Sequence, residues 1–339
     1  MTSHPQPGVE PALAAQVHRL LGRRHPVVAV AAVTPAGTTT ALLGAGPAAD
    51  LEIGSVSKGV TGLLYVDALE RGEVSPSGTL ADHLDVGGTA LGAVRLADLA
   101  THRSGLPRLA PGSHVVRRSI ALWRHGTNPY GETLGELLDS ARGVVPGAAR
   151  SRYSNLGYAL LGHAVASAAG TTYADLLTTR VAEPLGLDPF YVAATPADLR
   201  PGALLGRSRR GKRQEAWTGE GVAPAGGIRA SLEAMARLTA ALLDGSVPGA
   251  RALDPVAPLG RGARIGAAWI TLDMRGRTVT WHNGGTGGFS SWLGLDRTAR
   301  TGVVVLSATA GSVDRAGFAL LAEAGGAITR RPQPPGSGG

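Results

Sequence analysis

The sequence contains no cysteine and has no long apolar run, and these two absences exclude several classes of protein. Zero cysteines in 339 residues exclude a disulfide framework and thiolate metal or redox sites. The longest apolar run, Val27 to Val33, is far shorter than the roughly 20 residues of a membrane-spanning helix. Because Met1 is present and no export signal is found, we expect a cytoplasmic protein, with an exported protein whose leader is missing as the alternative.

Aromatic residues are also scarce, which bears on how the positive charge is interpreted. The formal charge is +8, and residues 207–213 form a basic cluster. Such charge favours acidic partners in general. With an aromatic fraction of only 4% and no nucleic-acid-binding motif, we predict no nucleic-acid partner and interpret the cluster as a solvated loop.

Lysine is the rarest charged residue, since Lys58 and Lys212 are the only two among 33 lysines and arginines. Arginine cannot lose its proton in a protein, whereas an amine can. Lys58 follows Ser55 by three positions, so on a helix both side chains lie on one face and the amine can relay the serine proton. The alternative is that Ser55 caps a helix and Lys58 is solvated. The run that follows, residues 61–69, is apolar nearly all round, which is typical of a core helix.

The order of patterns along the chain predicts an α+β fold. Residues 10–22 have helical periodicity, and Val27 to Val33 and Thr38 to Leu43 read as a hairpin of two strands. Residues 75–220 read as helices and loops, with helices at 156–169 and 173–182. A helix at 232–243 with Ser231 as N-cap precedes four strands, at 266–272, 277–282, 290–295 and 302–307, and a last helix at 313–324. Short turns between these strands indicate an antiparallel meander.

The order of these patterns also predicts how the chain is organised into parts. We expect one catalytic domain over residues 1–330, in which residues 1–74 and 221–330 form an α/β part and residues 75–220 a helical subdomain. The glycine- and proline-rich residues 331–339 are predicted to be a flexible tail.

Two further stretches carry candidate site residues. Tyr153-Ser154-Asn155 immediately precedes a helix, where Ser154 or Asn155 is explained as a cap but Tyr153 is not. A phenol beside Ser55 and Lys58 shares protons with them, and the Asn155 amide is suited to hold Lys58 and a substrate carbonyl.

The second stretch, residues 281–289, has more glycine than a hairpin needs, which marks a close approach of backbone or ligand. Its amides and that of Ser55 are candidates for an oxyanion hole. The alternative is a loose surface loop, with His282 as a core or edge histidine whose hydrogen bonds are made within the protein.

Together these motifs resemble the serine β-lactamases and penicillin-binding proteins, and specifically the class C branch with its D-alanyl-D-alanine carboxypeptidase and esterase relatives. Ser55-Val56-Ser57-Lys58 matches the Ser-x-x-Lys signature, Tyr153-Ser154-Asn155 the Tyr-x-Asn element, and His282-Asn283-Gly284 stands where many members have Lys-Thr-Gly. The resemblance covers residues 10–325. It implies an antiparallel β-sheet flanked by helices, with an all-helical subdomain and the site in the cleft between.

The resemblance also implies roles for particular residues. Ser55, Lys58 and Tyr153 are the expected catalytic residues, and the amides of Ser55 and Gly285 the expected oxyanion hole. Asn155, His282, Asn283 and Gly284 are expected to bind substrate. Lys58 and Tyr153 are expected to titrate as a coupled pair, and which of them is the general base stays open.

Two departures from the family pattern limit what the resemblance implies. His282 replaces a lysine that helps relatives bind a substrate carboxylate. No Glu-x-x-Leu-Asn element is found, so a deacylating glutamate is not supported and Tyr153 is the better candidate for that step.

Three functions follow as hypotheses. The first is a serine hydrolase acting on an ester, a β-lactam or a D-amino-acid peptide, the second an acyltransferase or peptide cyclase, and the third a non-catalytic sensing module. The expected partner is a small-molecule or peptide acyl substrate. No metal or cofactor is predicted, and the sequence does not determine the oligomeric state.

Overall fold

A computed structural model describes residues 10–329 except for 111–120, Trp123 and Arg275. The predicted tail at 331–339 lies outside the described residues. The strands within the described part are β1 Val28–Thr34, β2 Gly37–Leu43, β3 Asp50–Glu52, β4 Phe190–Val192, β5 Ile228–Ser231, β6 Ala257–Gly260, β7 Ala263–Ile265, β8 Ile270–Met274, β9 Arg277–Gly285, β10 Ser290–Asp296 and β11 Thr301–Ser307.

The α-helices alternate with these strands at both ends of the chain and follow one another in its middle. Those in the described ranges are α1 Pro11–Leu21, α2 Val56–Glu70, α3 Leu96–Ala100, α4 Leu134–Ala141, α5 Asn155–Ala168, α6 Tyr173–Leu177, α7 Glu183–Leu185, α8 Ala223–Gly226, α9 Leu232–Asp244 and α10 Asp314–Thr329. None of these helices combines the length and apolar character needed to cross a bilayer.

The larger sheet is antiparallel and has the strand order β2-β1-β11-β10-β9-β8-β7-β6. Strands β8 to β11 form the predicted four-strand meander, and β7 and β6 continue it in both sequence and space. The hairpin β1–β2 joins this meander through β1 and β11, with Val30 opposite Val305. The fold is therefore the predicted α+β class, an antiparallel sheet flanked by helices.

Both faces of this sheet are covered, which explains why β1 is apolar throughout. Ala29, Ala31 and Val33 pack into the core that contains α2 and α9. The alternate residues of β1, among them Val28 and Val30, pack under α1 and α10. Successive side chains of a strand point to opposite faces, so a strand in the middle layer has no polar face.

Helix α2 is buried on nearly all sides, as its sequence predicts, and this burial fixes the position of Lys58. Two glycines let other elements approach closely. A Cβ at Gly59 would lie 2.7 Å from the Trp269 ring, and the indole nitrogen of Trp269 donates to the Gly59 carbonyl at 3.2 Å. A Cβ at Gly62 would lie 2.2 Å from the Ala267 carbonyl oxygen.

A smaller sheet, of order β3-β5-β4, leads into α2 and contains a buried ion pair. Arg229 on β5 is fully buried and contacts Asp50 at 2.5 Å and Glu52 at 3.1 Å, both on β3. Burial raises the pKa of the Glu52 carboxyl more than the adjacent Arg229 guanidinium lowers it. The arginine is thus matched chiefly by Asp50, and the pair holds β3 against β5 three residues before Ser55.

The structure corrects several boundaries and adds five short strands. Helix α6 ends at Leu177 and continues as a π-helical turn to Ala182, and the strand predicted from residue 266 begins at Ile270. Strand β4 lies inside the stretch predicted to lack strands, and β3, β5, β6 and β7 were not predicted. Each has only three or four residues, which is too short for a periodic pattern to be recognised. The division into an α/β part and a helical subdomain stays a prediction.

We expect Arg229→Met to lower the free energy of unfolding by about 3–5 kcal/mol, because it leaves a buried carboxylate without an opposite charge. Urea denaturation measures this loss. Arg237→Met is the matched control, since Arg237 and Glu233 form an exposed pair one helical turn apart at 2.8 Å, which contributes about 0.5 kcal/mol or less. Equal losses in the two variants would show that the buried pair does not stabilise the fold.

Candidate active site

Ser55, Lys58 and Tyr153 meet at the first turn of α2. The Lys58 amine lies 3.2 Å from Ser55 Oγ, and the Tyr153 hydroxyl donates to the same oxygen at 2.6 Å. The Lys58 amine also donates to the Ala225 carbonyl on α8. The serine oxygen is therefore in direct contact with two groups that can exchange its proton.

Burial shifts the pKa values of Lys58 and Tyr153 in opposite directions. Lys58 is fully buried, and this desolvation, with the nearby Arg108 guanidinium, holds its pKa well below the usual value. Burial raises the pKa of the Tyr153 phenol, although its bond to Ser55 and the charge of Arg108 oppose that shift. Both shifts favour the uncharged forms, a neutral amine and a protonated phenol.

Tyr153 is held in place by the residues that begin α5. Ser154 caps that helix by accepting from the Gly157 amide at 2.9 Å and donates to the Pro107 carbonyl at 2.6 Å, so both uses of its hydroxyl fix the chain at this point. The His102 ring lies 4.7 Å from the Tyr153 ring. The phenol therefore packs against a buried imidazole while 36% of the residue stays exposed.

Asn155 takes the first position of α5 and does not contact Lys58 among the described residues. Its side-chain amide instead interacts with the Tyr130 hydroxyl, and its Oδ1 is buried without a hydrogen-bond partner in the described part of the chain. The predicted bridge from Asn155 to Lys58 is absent. An orphan buried acceptor is costly, and Oδ1 of Asn155 is shielded from solvent.

Strand β9 presents an unpaired edge beside Ser55. Its partner β8 pairs only as far as Trp281. Since the Thr286 amide bonds to the Phe289 carbonyl at 3.0 Å, the neighbouring pair of Gly285 and Ser290 is the non-hydrogen-bonded kind. The amide of Gly285 therefore points away from β10.

Close backbone approach places this edge against the start of α2. A Cβ on Gly54 would lie 2.7 Å from the Gly285 nitrogen, and a Cβ on Gly284 would lie 2.9 Å from the Ser55 nitrogen. The amide of Ser55, as the residue that begins a helix, has no intrahelical partner. Two amide donors, of Ser55 and Gly285, are thus adjacent, as an oxyanion hole requires.

His282 and Asn283 are both held by hydrogen bonds. His282 is buried, and its Nδ1 donates to the Asn283 carbonyl at 2.6 Å. Burial, followed by the charge of Lys58, lowers the pKa of His282 to about 4, so the ring is neutral at physiological pH. The Asn283 side chain donates to both carboxylate oxygens of Asp314, at 3.0 and 3.1 Å. His282 therefore does not supply the positive charge that a lysine would supply here.

A groove of about 480 Å³ opens at Ser55 and contains residues that the motifs did not reveal. Arg108, Arg209 and Asp314 line it together with Tyr153 and the edge of β9. Arg209 belongs to the basic cluster that we interpreted as a solvated loop; it is exposed, but it also faces the groove. No sequence signal distinguishes these arginines from the others, because the chain has so many.

Among the residues that the structure describes, no group of three or more side chains is arranged to bind a metal ion. The groups in contact with the Ser55 hydroxyl are the Lys58 amine and the Tyr153 phenol, and backbone amides lie beside them. This arrangement can activate a serine oxygen and receive a developing negative charge.

The chain is similar in sequence to known proteins. The sequence profile of the family described as Beta-lactamase matches residues 12–326. D-alanyl-D-alanine-carboxypeptidase/endopeptidase AmpH of Escherichia coli (strain K12) is 30% identical over 157 residues, which cover 44% of this chain and 38% of that relative. The match thus spans less than half of the relative's length.

Solved structures share the whole fold. A class C β-lactamase from Rhodobacter sphaeroides superimposes with a TM-score of 0.77 at 20% identity, over 95% of this chain and 100% of that one. The D-alanine carboxypeptidase AmpC from Burkholderia cenocepacia gives a TM-score of 0.76 at 20% identity, over 92% and 99%. The chain therefore belongs to the β-lactamase family, a family of serine hydrolases.

Proposed function

We propose that this protein cleaves an ester or amide through an acyl-enzyme on Ser55. The observation that carries the proposal is the contact of Ser55 Oγ with both Lys58 and Tyr153, at the mouth of a groove with two adjacent amide donors. The groove matters because a Ser55 hydroxyl enclosed in the core would have no access to a substrate. The substrate class is an ester, a β-lactam or a D-amino-acid peptide.

The opposite pKa shifts support the following proton transfers in acylation. Neutral Lys58 accepts the proton of Ser55 as its oxygen attacks the substrate carbonyl. The amides of Ser55 and Gly285 hold the oxyanion. Protonated Tyr153 donates to the leaving group, and Lys58 then returns to Tyr153 the proton that it took from Ser55.

Deacylation uses the same groups in reverse. A water molecule attacks the acyl carbonyl, loses its proton to the Tyr153 and Lys58 pair, and the pair returns a proton to Ser55. Asn155 and the edge of β9 hold the acyl group during both steps.

We expect Ser55→Ala to prevent covalent labelling and to lower turnover by at least about a thousandfold. Mass spectrometry after incubation with a fluorophosphonate and with a penicillin measures the adduct. Ser77→Ala, in an exposed turn, is the control and should label like the wild type. Labelling of Ser55→Ala at the wild-type rate would contradict the assignment of the nucleophile.

The pH dependence of kcat/KM tests the assignment of Lys58 and Tyr153. Because the pKa of Lys58 is lowered and that of Tyr153 is raised, activity should rise with pH as the amine loses its proton, well below pH 10. It should fall only when the phenol ionises. Because an arginine side chain cannot deprotonate, the Lys58→Arg variant should have a rate about 10²–10⁴-fold lower at every pH. The Tyr153→Phe variant should no longer show the decrease of kcat/KM at high pH.

Retention of the wild-type pH profile by Lys58→Arg would exclude Lys58 as the base. Product analysis with and without an added amine separates a hydrolase from an acyltransferase. A product that contains the amine in preference to the free acid would favour the acyltransferase.

A further inference from the structure

A second cavity, of about 270 Å³, borders the groove but does not include Ser55. It shares Tyr153 and Asn283 with the groove. Its remaining wall comes from the turn before α5, from strands β6 to β8, and from His102 and His282. The cavity therefore lies against the phenol that protonates the leaving group in the proposed reaction.

Two imidazoles in the cavity wall are fixed in complementary tautomers. The Ser154 amide donates to His102 Nδ1 at 3.3 Å, so in the neutral ring the proton of His102 is on Nε2. The Asn283 carbonyl only accepts, so His282 carries its proton on Nδ1 and presents a bare Nε2. His102 is 4% exposed, and its Nε2 makes no hydrogen bond to any described residue. The His102 ring at the cavity wall thus keeps one buried donor without a hydrogen-bond partner.

The rest of the wall is uncharged and mostly apolar. Leu259, Ile265 and Ile270 contribute aliphatic surface, and none of the residues that line the cavity carries a charged side chain. Burial and the neighbouring Lys58 keep the pKa of both histidines below the usual value, so neither ring supplies a positive charge at neutral pH. An anionic group would lose its hydration here without gaining an ion pair.

The size of the cavity restricts the ligand further. An apolar cavity of about 150 Å³ is sufficient for benzene. The cavity here is larger and carries a hydrogen-bond donor, so it matches a cyclic or branched group of benzyl or cyclohexyl size that bears an oxygen.

We propose that this cavity binds the neutral, apolar alcohol portion of an ester substrate, with its oxygen beside Tyr153 and His102. The inference rests on the proposed function and names its substrate class. When the ester carbon–oxygen bond breaks and the Ser55 acyl bond forms, the leaving alkoxide takes the proton of Tyr153 and remains in the cavity as the alcohol. The proton lost by Ser55 replaces the proton that Tyr153 gave to the alkoxide, so Tyr153 is again protonated at the end of the step.

Binding of benzyl alcohol to the Ser55→Ala protein tests the cavity without catalysis. Ligand-observed NMR should show saturable binding with a dissociation constant of about a millimolar. Leu259 is half-buried on the outermost strand β6, so Leu259→Trp fills the cavity mouth without overpacking the core, and we expect it to weaken binding at least about tenfold. Val256→Trp, on the same edge but 73% exposed and outside the cavity wall, should bind like the parent.

A kinetic comparison links the cavity to the reaction. With Ser55 intact, the ratio of kcat/KM for a benzyl ester to that for the methyl ester of the same acid should fall at least about tenfold in Leu259→Trp and should stay unchanged in Val256→Trp.

The outcomes separate the two proposals. Equal binding of benzyl alcohol by both tryptophan variants would overturn the cavity assignment even if esters are hydrolysed. Saturable binding that Leu259→Trp abolishes, in a protein that hydrolyses neither ester and whose Ser55 is not labelled by the fluorophosphonate or the penicillin, would support the cavity and overturn the proposed function. An unchanged ester ratio in Leu259→Trp would overturn the role of the cavity in catalysis.

Discussion

The burial of one amine governs the chemistry of this protein. Lys58 is the only lysine near the site, and α2 carries it into the core, where the Ala225 carbonyl and the Ser55 hydroxyl are its polar contacts. Desolvation disfavours the charged form of such an amine. The same residue exposed at the surface would be a permanent cation, so the position of α2 determines whether the serine has a base.

Several unrelated parts of the chain are needed to hold that amine and its partners in place. Trp269 and Ala267 pack against glycines of α2, and the pair of Arg229 and Asp50 fixes the short strand that leads to Ser55. On the opposite side, Ser154 anchors the turn that carries Tyr153. The three reacting groups therefore depend on packing at positions more than one hundred residues apart in the chain. Each of these supporting contacts includes a buried polar group whose hydrogen bond or ion pair must be kept.

Charge is distributed unevenly around the serine. The groove beside Ser55 has Arg108 and Arg209 on its wall, while the cavity beyond Tyr153 is lined by neutral and mostly apolar side chains. A lysine in place of His282 would bring a cation to the boundary between them. With histidine there, the two parts of a substrate meet different environments, one cationic and open to water, the other apolar and enclosed.

The sequence alone was sufficient to place the principal elements and the motif residues. The apolar character of β1 and α2 on all sides indicated burial, the Ser231 cap and the meander turns set boundaries, and the spacing of Ser55 and Lys58 required only a helix. These features depend on local periodicity and on spacing within a single element. A local pattern is readable because each residue's role is set by near neighbours.

Other features were decided only by the tertiary structure. Strands β3, β4 and β5 form by pairing with one another, and a strand of three or four residues has no periodicity of its own. The opposite pKa shifts of Lys58 and Tyr153 follow from burial by distant segments, and the tautomers of His102 and His282 follow from the amide and carbonyl that each ring meets. The sequence left the base undecided between Lys58 and Tyr153, because proton affinity depends on desolvation and nearby charge, which exist only once the chain has folded.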